Sequence, residues 1–205
     1  LVASAFLVGL LWVKYDARVR GEDPALAMDL VFYIIVAALI GSRVLYVLVN
    51  QSDRFLANPV TFFYIWEGGL VFYGGFIGAA IAVFLFIRHH KLSFARYADI
   101  CVPGVALGHC IGRLGCFMSG CCYGKVAHDH PWYAVVFPAA ERGFAPTGVP
   151  LYPTQLMESA GALMIFAVLF LLRRRQRFNG QILASYLMIY ALLRSTIEVF
   201  RGDIE

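Results

Sequence analysis

Six stretches of mostly apolar residues limit what this chain can fold into: Leu1 to Val13, Leu26 to Asn50, Gly69 to Ile87, Ile100 to Phe117, Leu156 to Leu172 and Ile182 to Phe200. About 20 helical residues cross a hydrocarbon core about 30 Å thick. Runs near this length, repeated along almost the whole sequence, predict an all-α, polytopic transmembrane helical bundle with six spans. Composition agrees, with 60% hydrophobic residues and a mean hydropathy of +0.72, where an ordinary soluble domain is about half apolar. No internal repeat, low-complexity tract or compositional shift divides the chain, so residues 1–205 read as a single integral membrane domain. The sequence does not start with Met and stops abruptly at RGDIE, which reads as a chain cut at both ends.

The net charge of +4 matters less than where the charges fall. Basic loops are retained on the cytoplasmic side. The connection after the third run carries Arg88, Lys91 and Arg96 with His89 and His90, and the one after the fifth carries Arg173, Arg174, Arg175 and Arg177. These loops are expected inside, which puts the N-terminus, residues 51–68 and residues 124–152 outside. Residues 124–152 hold four prolines together with Trp132 and Tyr133 and read as an outward loop lying on the interface. The basic residues form membrane anchors with no groove of interleaved aromatics, so nucleic acid is not expected as a partner.

Glycines recur every four residues at Gly74 and Gly78 and again at Gly104, Gly108 and Gly112. That spacing suits close helix packing in lipid, with close approach of a lipid chain or headgroup as the other reading. Charged residues inside apolar runs are costly and mark function by default. By the topology above, Arg43, Glu67, Tyr73, Arg113, Glu158, Arg194, Glu198 and Arg201 all fall at outer-leaflet depth, whereas Asp29 and Asp99 lie near the inner ends. Arg194, Glu198 and Arg201 share one helix face through spacings of four and three. Singly, each arginine reads as a snorkelling or paired side chain. Together, arginines from several helices at one depth suit a phosphate, which guanidinium groups bind through paired hydrogen bonds. An anionic phospholipid is the nearest source.

The segments EGGLVFYGGFIGA (67–79), GRLGCF (112–117), YPTQLMES (152–159) and RSTIEVFRGD (194–203), in this order, resemble the prolipoprotein diacylglyceryl transferase family. The resemblance covers the whole chain; family members usually have seven spans. It implies a multi-pass enzyme of the bacterial inner membrane that takes phosphatidylglycerol and the lipobox segment of a preprolipoprotein as partners among membrane lipids. Diacylglyceryl would pass to the lipobox cysteine thiol with release of glycerol phosphate, and no cofactor or metal is implied. Arg113 and Arg194 would act at the reacting phosphate. Arg43 and Tyr46 of GSRVLY, with Cys116, Gly124, Glu198 and Arg201, would line the substrate site.

A free thiol is only a few per cent thiolate at neutral pH, so the acceptor needs a base or a positive field. The family's histidine base stands here as Tyr73, its asparagine as Cys116 and a glutamate as Cys121. Three readings of the base remain open: Tyr73, His109 one helical turn before Arg113, or the arginine field alone. For Cys116, Cys121 and Cys122, a disulfide from Cys116 to either neighbour and a set of free thiols are both open. A metal site is not expected, since CFMSGCC lacks a standard ligand spacing and His109 lies about 10 Å along the helix from Cys116. Cys101 and Cys110 read as packing residues. Two other function classes stay open, a thiol-disulfide exchanger and a non-catalytic lipid-binding relative.

Overall fold

The computed structural model describes residues 1–64, 68–128, 132–138 and 145–202. Its long helices are α1 (Val2–Val19), α2 (Pro24–Asn50), α4 (Phe72–His90), α5 (Phe94–Ser119), α6 (Thr154–Leu172) and α7 (Gln181–Glu198). They cover the six apolar runs, and the short helix α3 (Ser52–Ala57) follows α2. The fold is all-α, as the apolar runs predict. Four stretches, α2, α4, α5 and Thr154–Arg175, are long and apolar enough to cross a membrane, which makes this a multi-pass membrane protein. Length and composition do not mark α1 and α7 in the same way: α1 carries Lys14, Asp16 and Arg18 in its second half, and α7 carries Gln181, Arg194 and Glu198.

Contacts group the chain into two compact units, Ala17–Phe94 and the pair of segments Leu1–Asp16 and Ala95–Glu205. In the first, α2 and α4 pack through glycine. A Cβ at Gly41 would stand 2.3 Å from the Gly74 carbonyl oxygen, and one at Gly78 would stand 2.2 Å from that of Ala37. Only hydrogen fits there, so the Gly74/Gly78 spacing serves helix packing. In the second unit Gly104 does the same work against α1, where an added Cβ would come within 2.9 Å of the Gly9 oxygen. Gly112 differs, because its added Cβ would meet nothing within 4 Å.

The second unit is filled by Val102 and Ala106 of α5, Ile165 and Leu169 of α6 and Ile182 of α7, all buried. Large apolar side chains such as Leu163, Met164, Leu171, Leu187 and Leu192 point outward. Such a surface suits lipid and would be a liability in water. One end of this unit holds its buried charges in fixed partnerships. Asp99, fully buried, accepts hydrogen bonds from the backbone N–H of Gly180 (2.6 Å) and Leu183 (2.9 Å) and from Gln176 Nε2 (2.6 Å). It thus caps the start of α7 from α5, a task that a residue preceding the helix usually performs. Arg173 pairs with buried Asp16 and lies over the rings of Trp12 (5.2 Å), Tyr15 (5.3 Å) and Phe170 (5.0 Å), so this member of the basic loop is committed to the fold.

The segment after α5 is more ordered than a plain loop. Strands β1 (Val135–Val136) and β2 (Pro150–Leu151) pair antiparallel, and Phe137, Ala145 and Leu151 form a small core against Phe117 and Tyr123. Backbone bonds stitch this segment to two helix ends. The Gly124 N–H donates to the Tyr152 oxygen (3.1 Å), the Lys125 N–H to the Phe200 oxygen (2.8 Å) and the Gly202 N–H to the Tyr123 oxygen (3.3 Å). Gly124 is required at this seam, since an added Cβ would stand 2.5 Å from the Tyr152 oxygen and 2.8 Å from that of Phe200.

Candidate active site

Helices α5 and α6 are held in one register near the C-terminal end of α5. Ser159 Oγ donates to the Cys110 carbonyl oxygen at 2.9 Å, and one helical step away Glu158 turns toward α5. The carboxylate oxygen Oε1 of Glu158 lies 2.8 Å from Arg113 Nη2 and 3.2 Å from His109 Nε2, and the Glu158 side chain is 3% exposed. His109 and Arg113 are four residues apart and therefore neighbours on the α5 surface. Arg113 Nε donates to His109 Nε2 at 3.1 Å. A buried carboxylate thus faces a half-buried guanidinium and an imidazole, and the charge is compensated locally.

The two contacts of His109 Nε2 exclude one another. When Nε2 is unprotonated it accepts the Arg113 Nε proton; when it carries a proton it donates to Glu158. Gaining a proton therefore moves the imidazole from one partner to the other without leaving the site. The Tyr190 ring of α7 closes one side, its centroid 5.4 Å from that of His109, and stacks on Tyr186 at 5.6 Å.

Cationic groups from the end of α7 converge on the same place. Arg194 pairs with Glu198 one turn later. Arg113 and Arg194 both act electrostatically on Glu158, and Arg113, Arg194 and Arg201 all act on Tyr190. Arg201 is placed by the seam, as an antiparallel bridge pairs its backbone with Gly124. The structure thus puts His109, Arg113 and Glu158 in direct contact, pairs Arg194 with Glu198 on α7, and sets Arg201 beside Gly124 at the seam.

The residues expected from the other unit have different surroundings. Arg43 is 3% exposed, and its five N–H donors all point at backbone carbonyls. Nε reaches Phe62 (2.8 Å), Nη1 reaches Gly68 (2.7 Å) and Gly69 (3.3 Å), and Nη2 reaches Thr61 (2.8 Å) and Tyr64 (3.1 Å). Its guanidinium clamps the segment between α2 and α4, which leaves no donor for a phosphate. Tyr46 lies under it, with the guanidinium carbon 5.5 Å from the ring centroid, and crowds Gly69 so closely that an added Cβ would stand 2.2 Å from the ring. Tyr73 opens α4, is 72% exposed and has the Phe72 ring as its neighbour at 6.0 Å. Glu67 lies outside the described residues.

All five cysteines are free thiols. Cys116 continues the stripe of His109 and Arg113 one turn onward, and its sulfur lies with those of Cys121 and Cys122 in one group, all within 4.8 Å of one another. Left-handed conformations at Gly120 and Cys122 fold the chain back after α5 and group the three sulfurs. Burial, and then the neighbouring Cys116 and Cys122 thiols, push the Cys121 thiol up to about 12. It stays protonated at neutral pH and is no nucleophile by itself.

Glu158 is the residue whose weight the sequence understates. Its depth matches that of Arg113, but nothing in a single sequence says that two helices lock so as to aim it at His109. Thr154 and Gln155, within the YPTQLMES segment, were given no role of their own by the sequence. Both are buried, with Thr154 Oγ1 donating to the Cys122 carbonyl (2.9 Å) and Gln155 Nε2 to that of Cys121 (2.8 Å).

The family model for prolipoprotein diacylglyceryl transferase matches residues 1–205. A phosphatidylglycerol–prolipoprotein diacylglyceryl transferase of Bordetella bronchiseptica is 37% identical over 84% of this chain, which spans 64% of that relative's length. The enzymes of the same name from Geobacter sulfurreducens (34% identical over 98% of this chain and 73% of the relative) and Chromohalobacter salexigens (37%, over 95% and 70%) are also similar.

Proposed function

The chain belongs to the prolipoprotein diacylglyceryl transferase family, and from that premise we propose that it carries the reaction centre of a phosphatidylglycerol–prolipoprotein diacylglyceryl transferase in a bacterial inner membrane. The observation that carries this reading is the contact of Arg113 with Glu158 and His109 near the C-terminal end of α5.

The reaction asks for two things. The lipobox thiol must lose its proton, and the phosphate oxygen that leaves must have its charge held by donors already in place. His109 Nε2 takes the thiol proton and swings to Glu158, which is already desolvated and waiting 3.2 Å away. The thiolate sulfur then attacks the glyceryl methylene carbon next to the phosphate. The carbon–oxygen bond breaks, its electron pair stays on the phosphate oxygen, and glycerol phosphate departs. Arg113 Nε donates to His109 Nε2 while that nitrogen is unprotonated, and Nη2 faces Glu158 Oε1. Once Nε2 carries the thiol proton it no longer accepts from Nε, and Arg113 offers its free N–H groups to the departing phosphate together with Arg194 and Arg201. The open space at Gly112 lets a headgroup approach beside Arg113. The exposed basic loops orient this end of the second unit to the outer leaflet, where the exported acceptor arrives.

Complementation of a transferase-depleted strain with the full-length gene, together with transfer of labelled lipid to a lipobox peptide, tests the reading. Arg113→Ala abolishes transfer. His109→Ala lowers it by about 10²-fold or more, the range in which a positioned base contributes. Tyr73→Phe retains it. Full activity of both Arg113→Ala and His109→Ala sinks the proposal.

A further inference from the structure

We propose that Cys116, Cys121 and Cys122 form a three-thiolate site for one soft, thiophilic cation of the Zn²⁺ class, one turn of α5 beyond Arg113. The three sulfurs lie within 4.8 Å of one another. Three thiolates around a tetrahedral zinc at about 2.3 Å stand about 3.8 Å apart, so binding needs each sulfur to move by less than about 1 Å. A disulfide would use two of the sulfurs and strand the third, whereas a single cation uses all three. Carboxylates and imidazoles are missing from the group among the described residues, which selects for a soft metal over magnesium or calcium.

The backbone that carries the sulfurs is held in place without any ion. Gly120 and Cys122 both adopt left-handed conformations, with φ of 65° and 58°. Cys122 has a Cβ, so this conformation is strained, and such strain collects where a side chain has to be aimed. Two buried residues of α6 oppose relaxation by gripping the cysteine carbonyls, Gln155 that of Cys121 and Thr154 that of Cys122. The Cys121 N–H donates to the Cys116 carbonyl oxygen at 3.1 Å and closes the loop back onto α5. All three cysteines are half-buried, which shields the thiolates while keeping a path for the ion. On binding, the three thiol protons pass to the buffer, and the fourth ligand comes from outside the group. Three protein ligands with one outside position is the arrangement of reactive rather than purely structural zinc sites.

The test uses the full-length protein, reduced, stripped with a chelator and kept in detergent. Titration with Co²⁺ is expected to give a thiolate-to-metal charge-transfer band that saturates at one equivalent and is displaced by Zn²⁺. Cys116→Ser, Cys121→Ser and Cys122→Ser each weaken Co²⁺ binding at least tenfold, while Cys101→Ser and Cys110→Ser leave it unchanged. Differential alkylation of the wild-type protein, read by mass spectrometry, gives a result independent of variant folding: Zn²⁺ protects Cys116, Cys121 and Cys122 together. The proposal fails if no charge-transfer band forms, if the band survives the Cys116→Ser/Cys122→Ser double change, or if Zn²⁺ leaves the alkylation of those three cysteines unaltered.

Discussion

Glu158 is buried, yet no ordinary packing argument requires a carboxylate where it sits. Its oxygen faces Arg113 and His109 at 2.8 and 3.2 Å, and in the proposed mechanism it acts through them. Glu158→Gln keeps the shape and removes the charge that receives the protonated imidazole. Transfer is expected to slow by about tenfold to a hundredfold in kcat with the KM for lipid little changed, and steady-state kinetics with labelled phosphatidylglycerol separate the two. An unchanged kcat would show that Glu158 is a structural counter-ion. Arg43 makes the opposite case, since its donors are spent on five carbonyls. Arg43→Lys leaves several of those carbonyls without partners at about 1–3 kcal/mol each. It is therefore expected to lower the Tm of the detergent-solubilised protein by several degrees whether or not lipid is added.

At the scale of elements, the positions of the helices were readable from apolar runs alone, because in lipid a run of the right length has few other forms to take. That α4 packs closely on some neighbour was readable too, in the spacing of Gly74 and Gly78, but not that the neighbour is α2. What the sequence did not disclose was how elements meet. The charge at Asp99 looked out of place until α7 was seen to begin against it. With three donors converging on that carboxylate, Asp99→Ala is expected to fray the first turn of α7 and cost about 2 kcal/mol, measured as a shift in thermal unfolding and as faster amide exchange from Gln181 to Leu183. The candidate site divides in the same way. Arginines at one depth could be picked out by counting along the runs, whereas the choice between Arg43 as a phosphate ligand and as a clamp depended on a neighbouring segment folding over it. For the cysteines, the sequence left a Cys116 pairing with either neighbour open, and only the left-handed turn after α5 shows all three thiols free and grouped.

At the scale of the whole molecule, charges with fixed partners gather at the two ends of the unit built from α5, α6 and α7, and apolar side chains face outward between them. By the retention of basic loops, the connections at Arg88–Lys91 and Arg173–Arg177 are expected on the cytoplasmic side and Lys125 on the other. In intact spheroplasts a membrane-impermeant thiol reagent is expected to label Lys125→Cys, introduced in a background without the native cysteines, and to spare Lys91→Cys until the membrane is opened. The reverse pattern would invert the topology. The seam at Gly124 also sets a schedule for biosynthesis. Its backbone partners sit at Tyr152 and Phe200, and a nascent chain delivers them in that order. Helices α5 and α6 can therefore meet early, but Arg201 reaches its place beside Gly124 only after α7 has left the ribosome, so this backbone pairing is the last piece of the seam to be completed in a newborn molecule.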